Sequence, residues 1–230
     1  MSTAANQFLF GIYPYIALAV FLLGSLLRFD RDQYTWKSGS SQLLRRRQLV
    51  LGSNLFHIGI LGIFVGHFVG LLTPIQVFDA LGIGHGFKQG LAIVVGGAFG
   101  LMMLAGLTML LHRRLSDPRI RVNSSFSDIL VLLLLYAQLL LGLSTIFISL
   151  GHLDGGEMVK FMNWAQHVVT FRPGAADFVA DVHWIFKAHL FLGMTIFLVF
   201  PFTRLVHIWS APVWYLGRRY QIVRTRMRRA

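Results

Sequence analysis

The stretch LVLGSNLFHIGILGIFVGHFVGLL, residues Leu49–Leu72, contains 24 residues and no charged side chain. A helix rises about 1.5 Å per residue, so this length is enough to cross the roughly 30 Å hydrocarbon core of a bilayer. Its polar residues include two histidines, His57 and His67, which are ten residues apart. The stretch therefore predicts a transmembrane helix that carries two imidazoles inside the membrane.

Four further stretches have a similar apolar character and length. The five together cover roughly residues 8–27, 49–72, 91–111, 129–150 and 184–209. Only 13% of the 230 residues are charged, about half the share expected in a soluble protein. The sequence predicts an all-α integral membrane bundle of five transmembrane helices. We expect residues 1–230 to form a single membrane domain that ends in a basic tail at residues 210–230.

The chain contains no cysteine. This excludes disulfides, cysteine-ligated iron–sulfur clusters within this chain and covalently attached c-type haem. Any metal chemistry must therefore use histidine, methionine, tyrosine or carboxylate side chains.

Positive charge is distributed unevenly between the two sides of the predicted bundle. Of the 21 Lys and Arg residues, seventeen lie in or beside the first loop, the third loop and the tail. The other four lie beside the second and fourth loops: Lys88, Lys160, Arg172 and Lys187. Because cytoplasmic loops carry the excess of Lys and Arg, we expect the N-terminus to face outward and the C-terminus to face the cytoplasm.

The net charge of +12 could indicate a nucleic-acid partner, but its distribution is that of membrane topology, and we expect no nucleic acid. The tail RRYQIVRTRMRRA allows two interpretations. It is a topology determinant that lies on anionic membrane lipid, or it is a docking surface for a cytoplasmic partner.

Histidines within the predicted spans are the strongest functional signal. His57, His67 and His189 lie inside spans, and His207 lies near the inner end of the fifth. Ionisable residues at such depth are costly and usually face the bundle interior with a partner. The second and fifth spans are antiparallel, which pairs His67 with His189 and His57 with His207. The other five histidines lie in loops or at span ends, where we expect no special role.

The spacing of these histidines predicts two sites at different depths. At about 1.5 Å per residue the axial separations are about 15 Å on the second span and about 27 Å on the fifth. The eighteen residues from His189 to His207 return to the same face of a continuous helix, whereas ten residues leave His57 and His67 roughly 80° apart. Two sites on one broad face are therefore expected.

Haem b is the group that best fits a site between two neutral imidazoles in an apolar bundle. Zinc or copper would need further ligands, and no cysteine or acidic cluster supplies them. Two axial histidines leave the iron no open position, which favours electron transfer over oxygen or substrate binding. Gly59, Gly62, Gly66 and Gly70 accompany the histidines, either for close helix packing or to make room for the macrocycle.

A lipid-soluble quinol is the natural electron donor for such a site. Lys88 precedes the third span on the outer side, near the expected level of His67. On spacing alone, an interfacial lysine that snorkels to the headgroups is the commoner explanation, and a quinol-site residue is the alternative.

Several segments resemble one family: the gamma, or cytochrome b, subunit of membrane-bound respiratory nitrate reductases. They are GIYPYIALAV, QYTWKSGSSQLL, SNLFHIGILGIFVGHF, WAQHVVTF and FPFTRLVHIWSAPVWYL, and the similarity runs from about Tyr13 to Arg224. The resemblance implies that His67 and His189 bind a distal haem, and that His57 and His207 bind a proximal one.

The resemblance also implies a quinol site and two partner subunits. Lys88, in FKQG, matches a lysine associated with quinol oxidation in the family, whereas the preceding loop ALGIGHGF does not clearly match. An iron–sulfur beta subunit and a molybdenum-containing alpha subunit would receive the electrons, and nitrate would be reduced on the alpha subunit.

Two alternatives stay open at this point. One is a cytochrome b subunit of another quinone-linked complex, related to heterodisulfide or sulfite reductases. The other is a haem-free transporter or scaffold in which the histidines form a proton path.

Overall fold

The computed structural model describes residues 2–36, 41, 43–211, 213 and 217. These residues form helices joined by turns, and no strand occurs among them. Five helices are long and apolar enough to cross a membrane, which confirms the predicted all-helical bundle. Most of the basic tail at residues 210–230 lies outside the described residues, as does Lys37.

Nine α-helices follow one another along the described chain. The first candidate span comprises α1 (Thr3–Gln7), a π-helical turn (Phe8–Ile12) and α2 (Tyr13–Arg31). The next three spans are α3 (Arg46–Leu72), α5 (His85–Ser116) and α7 (Phe126–Ser149), and α9 (Trp184–Val199) with its terminal turn forms the fifth. The shorter helices are α4 (Ile75–Ala80), α6 (Pro118–Val122) and α8 (Gly156–Val169).

The spans pack in a series rather than a closed ring. α3 packs on α5, α5 on α7, α7 on α9, and α9 on α2. α3 and α9, the two helices on which sequence places three of the four candidate histidines, pack on each other much less extensively than the members of this series do.

Glycines bring α3 and α5 into close contact. A Cβ added at Gly59 would lie 2.6 Å from the Met103 nitrogen, and one at Gly106 would lie 2.3 Å from the Phe56 nitrogen. A Cβ at Gly62 would meet the Phe99 ring at 2.5 Å. These glycines therefore serve helix packing, the first of the two roles predicted for the glycines of this span.

Gly66 and Gly70 differ from the other glycines of α3. An added Cβ at either position would have no neighbour within 4 Å among the described residues. The α3 glycines thus divide into two groups, one packed on α5 and one facing open space near His67.

The fifth apolar segment does not form one continuous helix to Trp209. α9 ends at Val199 and is followed by 3-10 turns at Phe200–Phe202 and Arg204–Ser210. Pro201 explains the break, because proline lacks an N–H and its ring clashes with the carbonyl four residues earlier. The expectation that His189 and His207 share one face of a regular helix, 27 Å apart, is therefore wrong.

Arginines organise the end of the bundle at which α2 and α5 end, here called the basic end. Arg28 donates to the carbonyl oxygens of Pro201 and Thr203, which ties α2 to the turn after α9. Arg113 is 2% exposed and donates to two carbonyl oxygens in the loop before α3. Arg114 and Arg204 each lie 3.5 Å from a carboxylate oxygen of Asp128. Several arginines at this end therefore hold the loops and the turn after α9 in place.

Candidate functional site

His67 on α3 and His189 on α9 lie against each other. Their ring centroids are 6.2 Å apart and their planes are inclined by 45°. Two imidazoles on opposite sides of one metal ion place their centroids roughly 6 Å apart, because each metal–nitrogen bond is about 2 Å long. The separation of this pair is therefore compatible with a shared metal ion.

Three of the four candidate histidines use the same ring nitrogen to bond their own helical segment. Nδ1 lies 2.7 Å from the Ser53 carbonyl oxygen in His57, 2.9 Å from that of Ile63 in His67, and 2.6 Å from that of Arg204 in His207. A carbonyl oxygen can only accept, so Nδ1 carries the proton and Nε2 keeps its lone pair. This is the neutral tautomer that binds metal through Nε2.

The fourth histidine is held differently. Nδ1 of His189 is buried and has no hydrogen-bond partner among the described residues. Its ring lies beside Gly142 of α7, where an added Cβ would come 3.0 Å from Cε1. Gln138 of α7 donates to the His189 backbone oxygen over 3.1 Å. Sequence reasoning missed Gln138, although a lone amide in the apolar run LLLLYAQLLLGL was the signal available.

His57 and His207 are not brought into contact in the same way. Both are exposed, and no ring–ring contact between them occurs in the described part of the chain. The His57 ring instead contacts that of its neighbour Phe56, with centroids 5.0 Å apart. The structure thus brings together one of the two predicted pairs, His67 and His189. In the other pair, His57 lies on α3 and His207 lies on the 3-10 turn after α9.

Three of the five histidines outside these pairs have local structural contacts. His85 Nε2 lies 3.0 Å from Asp79, and His183 caps the first turn of α9. His167 also bonds a carbonyl of its own helix through Nδ1, but its ring lies on Phe178. The Nδ1 contact alone therefore does not mark a ligand, and the facing rings of His67 and His189 are the distinguishing feature.

Lys88 is buried, with 6% of its surface exposed. Its Nζ donates to the Gly70 carbonyl oxygen over 3.1 Å and lies 2.9 Å from Met162 Sδ on α8. The ammonium also lies 3.8 Å from the centroid of the Phe78 ring on α4. Lys88 is therefore not a snorkelling lysine, and it contacts the last turn of the helix that carries His67.

The histidine pair fits a metal ion whose other coordination positions are filled by a cofactor. Among the described residues no group of three or more His, Cys, Asp or Glu side chains could hold a metal ion. A pair of histidines suffices where a macrocycle supplies the remaining donors, as in haem. The buried, unpartnered Nδ1 of His189 and the open space at Gly66 and Gly70 agree with such a group.

Five apolar helices, two of which bring a pair of histidine rings into contact, define a multi-pass helical membrane protein. A family model described as "Nitrate reductase gamma subunit" matches residues 6–226. The chain belongs to this family, which confirms the resemblance inferred from its sequence segments.

Three curated gamma chains are similar to this chain over nearly their whole length. The chain is 56% identical to the respiratory nitrate reductase 1 gamma chain of Escherichia coli (strain K12), over 96% of this chain and 98% of the relative. It is 53% identical to the respiratory nitrate reductase 2 gamma chain of the same strain, over 96% and 97%. Identity to the nitrate reductase gamma chain of Bacillus subtilis (strain 168) is 40%, over 96% and 99%.

Proposed function

We propose that this chain is the membrane cytochrome b subunit of a respiratory nitrate reductase. It oxidises quinol near the periplasmic side and delivers the electrons to a cytoplasmic iron–sulfur subunit. When bound, two b-type haems supply the one-electron redox chemistry that links these two ends of the bundle. The observation that carries the proposal is the facing pair His67 and His189 in a chain of this family.

The four histidines hold the redox groups. His67 and His189 are the ligands of the distal haem, and His57 and His207 are those of the proximal haem. In three of them the Nδ1–H bond to a backbone carbonyl fixes the tautomer and directs Nε2 away from the helix that carries it. His207 lies on a turn after Pro201, so its ring orientation is set by that turn rather than by α9.

Lys88 is the proposed quinol-site residue. An ammonium has three N–H donors, and the contacts with Gly70 and Met162 use two of them. The remaining N–H can donate to a quinol oxygen and orient the ring beside the distal haem. Because α4 and α8 cover Lys88, the quinol approaches from the α3 side, where Gly66 and Gly70 leave space.

The partners and the membrane orientation follow from the family and the charge distribution. We place the N-terminus in the periplasm and the basic end in the cytoplasm, because in the sequence seventeen of the 21 Lys and Arg residues belong to or flank the first loop, the third loop and the tail. There the chain meets an iron–sulfur beta subunit, and a molybdenum-containing alpha subunit reduces nitrate to nitrite. The complex lies in the bacterial inner membrane.

A reduced-minus-oxidised optical spectrum with haem quantitation tests the proposal. The purified complex should show two b-type haems per copy of this chain, reducible by quinol. Absence of a b-type signal would contradict the proposal and support a haem-free transporter or scaffold. A cytochrome b subunit of another quinone-linked complex is less favoured, because the relatives of 40–56% identity are nitrate reductase gamma chains.

Single histidine variants test the pairing. His67→Ala or His189→Ala should remove the distal haem and stop quinol oxidation, while the proximal haem stays. His57→Ala or His207→Ala should remove the proximal haem instead. A redox titration that still finds two haems in any of these four variants would show that the assignment is wrong.

A further inference from the structure

α7 and α9 fit together through two reciprocal contacts. Gln138 and Gly142 lie about one turn apart on α7, as do His189 and Gly193 on α9. A Cβ at Gly193 would lie 3.2 Å from Gln138 Nε2, and one at Gly142 would lie 3.0 Å from His189 Cε1. Each helix thus offers one long polar side chain and one glycine, and the long side chain of each packs over the glycine of the other.

The Gln138 amide contacts both the backbone and the ring edge of His189. Its Nε2 donates to the His189 carbonyl oxygen over 3.1 Å and lies 3.5 Å from the ring Nε2. Gln138 Oε1 and His189 Nδ1 are both buried, and neither has a hydrogen-bond partner among the described residues. Burying an amide in an apolar span with part of its hydrogen-bonding capacity unused costs free energy. Such a cost favours a functional role for the side chain.

His189 needs an external group to orient its ring. His57, His67 and His207 each bond a carbonyl of their own segment through Nδ1, whereas His189 has no such bond. Metal-bound histidines are normally held by a hydrogen-bonded neighbour as well as by the metal. Gln138 holds His189 through its backbone carbonyl and borders the Nε2 edge of the ring, and Gly142, one turn further along α7, lies against Cε1.

We infer that Gln138 is a positioning residue that sets the orientation of His189 toward His67, and through it the redox properties of the distal haem. This inference rests on the proposed function. Gln138 acts by holding the His189 backbone and bordering the Nε2 edge of the ring. A purely structural contact between α7 and α9 would affect stability, but it would not single out one of two haems.

The test replaces the amide while keeping the length of the side chain. Gln138→Met is compared with the wild type in the assembled complex in membranes, by potentiometric titration and low-spin ferric EPR. We expect the midpoint potential and EPR signal of the distal haem to change, with those of the proximal haem unchanged. A tenfold change in the relative affinity for the two oxidation states corresponds to a shift of about 59 mV.

Tyr136→Phe is the matched control. It removes a polar contact of the same helix with Thr108 of α5, away from His189, and both haems should keep their wild-type potentials. Unchanged potentials and EPR signals in Gln138→Met, or equal shifts of both haems, would overturn the inference.

A second variant keeps the inference testable if Gln138→Met does not fold. The haem content of the wild type distinguishes a failure of this inference from a failure of the proposed function. If Gln138→Met loses both haems, Gln138→Asn tests the inference instead. This variant keeps the amide and shortens the side chain by one methylene. A selective change at the distal haem supports the inference, and unchanged haems contradict it. Absence of b-type haem from the wild type would instead contradict the proposed function.

Discussion

Lys88 Nζ donates to the carbonyl oxygen of Gly70, three residues beyond His67 on the last turn of α3. Carbonyls in the last turn of a helix have no partner within that helix, so the ammonium satisfies one of them. The same ammonium contacts α4 through Phe78 and α8 through Met162. One side chain therefore joins four helices next to His67.

Lys88→Met should reduce both stability and quinol oxidation while leaving the two haems in place. Loss of a hydrogen bond from a charged donor costs about 1.5–3 kcal/mol, and the quinol loses its proposed donor. Quinol-dependent haem reduction measures the second effect, and thermal unfolding in detergent measures the first. Lys187→Met, which also removes a lysine that donates to one backbone carbonyl, is the control. Wild-type rates of haem reduction in Lys88→Met would exclude Lys88 from the quinol site.

Gly142→Val should lower the content of distal haem and preserve the proximal one. Even the first carbon of the new side chain would lie 3.0 Å from His189 Cε1, so the imidazole has to move. Gly96→Val is the matched control, because a Cβ at Gly96 meets nothing within 4 Å among the described residues. Haem quantitation on both variants checks the prediction, and equal haem contents in the two would contradict it.

Gly106→Ala should destabilise the whole bundle. Its Cβ would lie 2.3 Å from the Phe56 backbone nitrogen, so α3 and α5 must separate, and overpacking of this kind costs about 1–3 kcal/mol. Gly90→Ala on the same helix faces open space and should be neutral or slightly stabilising. Thermal unfolding of the purified protein compares the two, and a Gly106→Ala variant as stable as Gly90→Ala would argue against this packing.

The contribution of Asp181 should depend on pH. A hydrogen bond from Lys160 holds the pKa of the Asp181 carboxyl below its ordinary value of 3.8. Its contribution to the free energy of unfolding is therefore complete above about pH 4 and is lost as the pH falls through the lowered pKa.

Asp181→Asn measures this contribution. Because the pair is exposed, the difference from the wild type should be only about 0.2–1 kcal/mol at neutral pH, and it should shrink on acidification. Unfolding midpoints recorded across the acidic range provide the test. A stability difference that grows as the pH falls would contradict the prediction.

The periodicity and length of the apolar stretches predicted the number of spans and the approach of His67 to His189. Both depend on quantities that sequence expresses directly, namely helix rise, membrane thickness and the antiparallel course of the second and fifth spans. The division of the α3 glycines could not be predicted. Gly62 and Gly66 have the same spacing pattern, and only the position of α5 distinguishes the packed glycine from the open one.

The relation between His189 and His207 was predicted from a continuous helix, although Pro201 was visible between them. Transmembrane helices often tolerate proline, so its presence alone did not decide between a kink and an end. Gln138 was missed for another reason. A single amide in a span gives no indication of which neighbour it contacts, and the answer came from the juxtaposition of α7 with α9.

The break at Pro201 also separates His207 from the fifth span. That span is complete at Phe202, before the turn that carries His207. Arg28, on the first span, donates to the carbonyl oxygens of Pro201 and Thr203 and so holds the start of this turn. The position of His207 therefore depends on the first span as well as on the fifth.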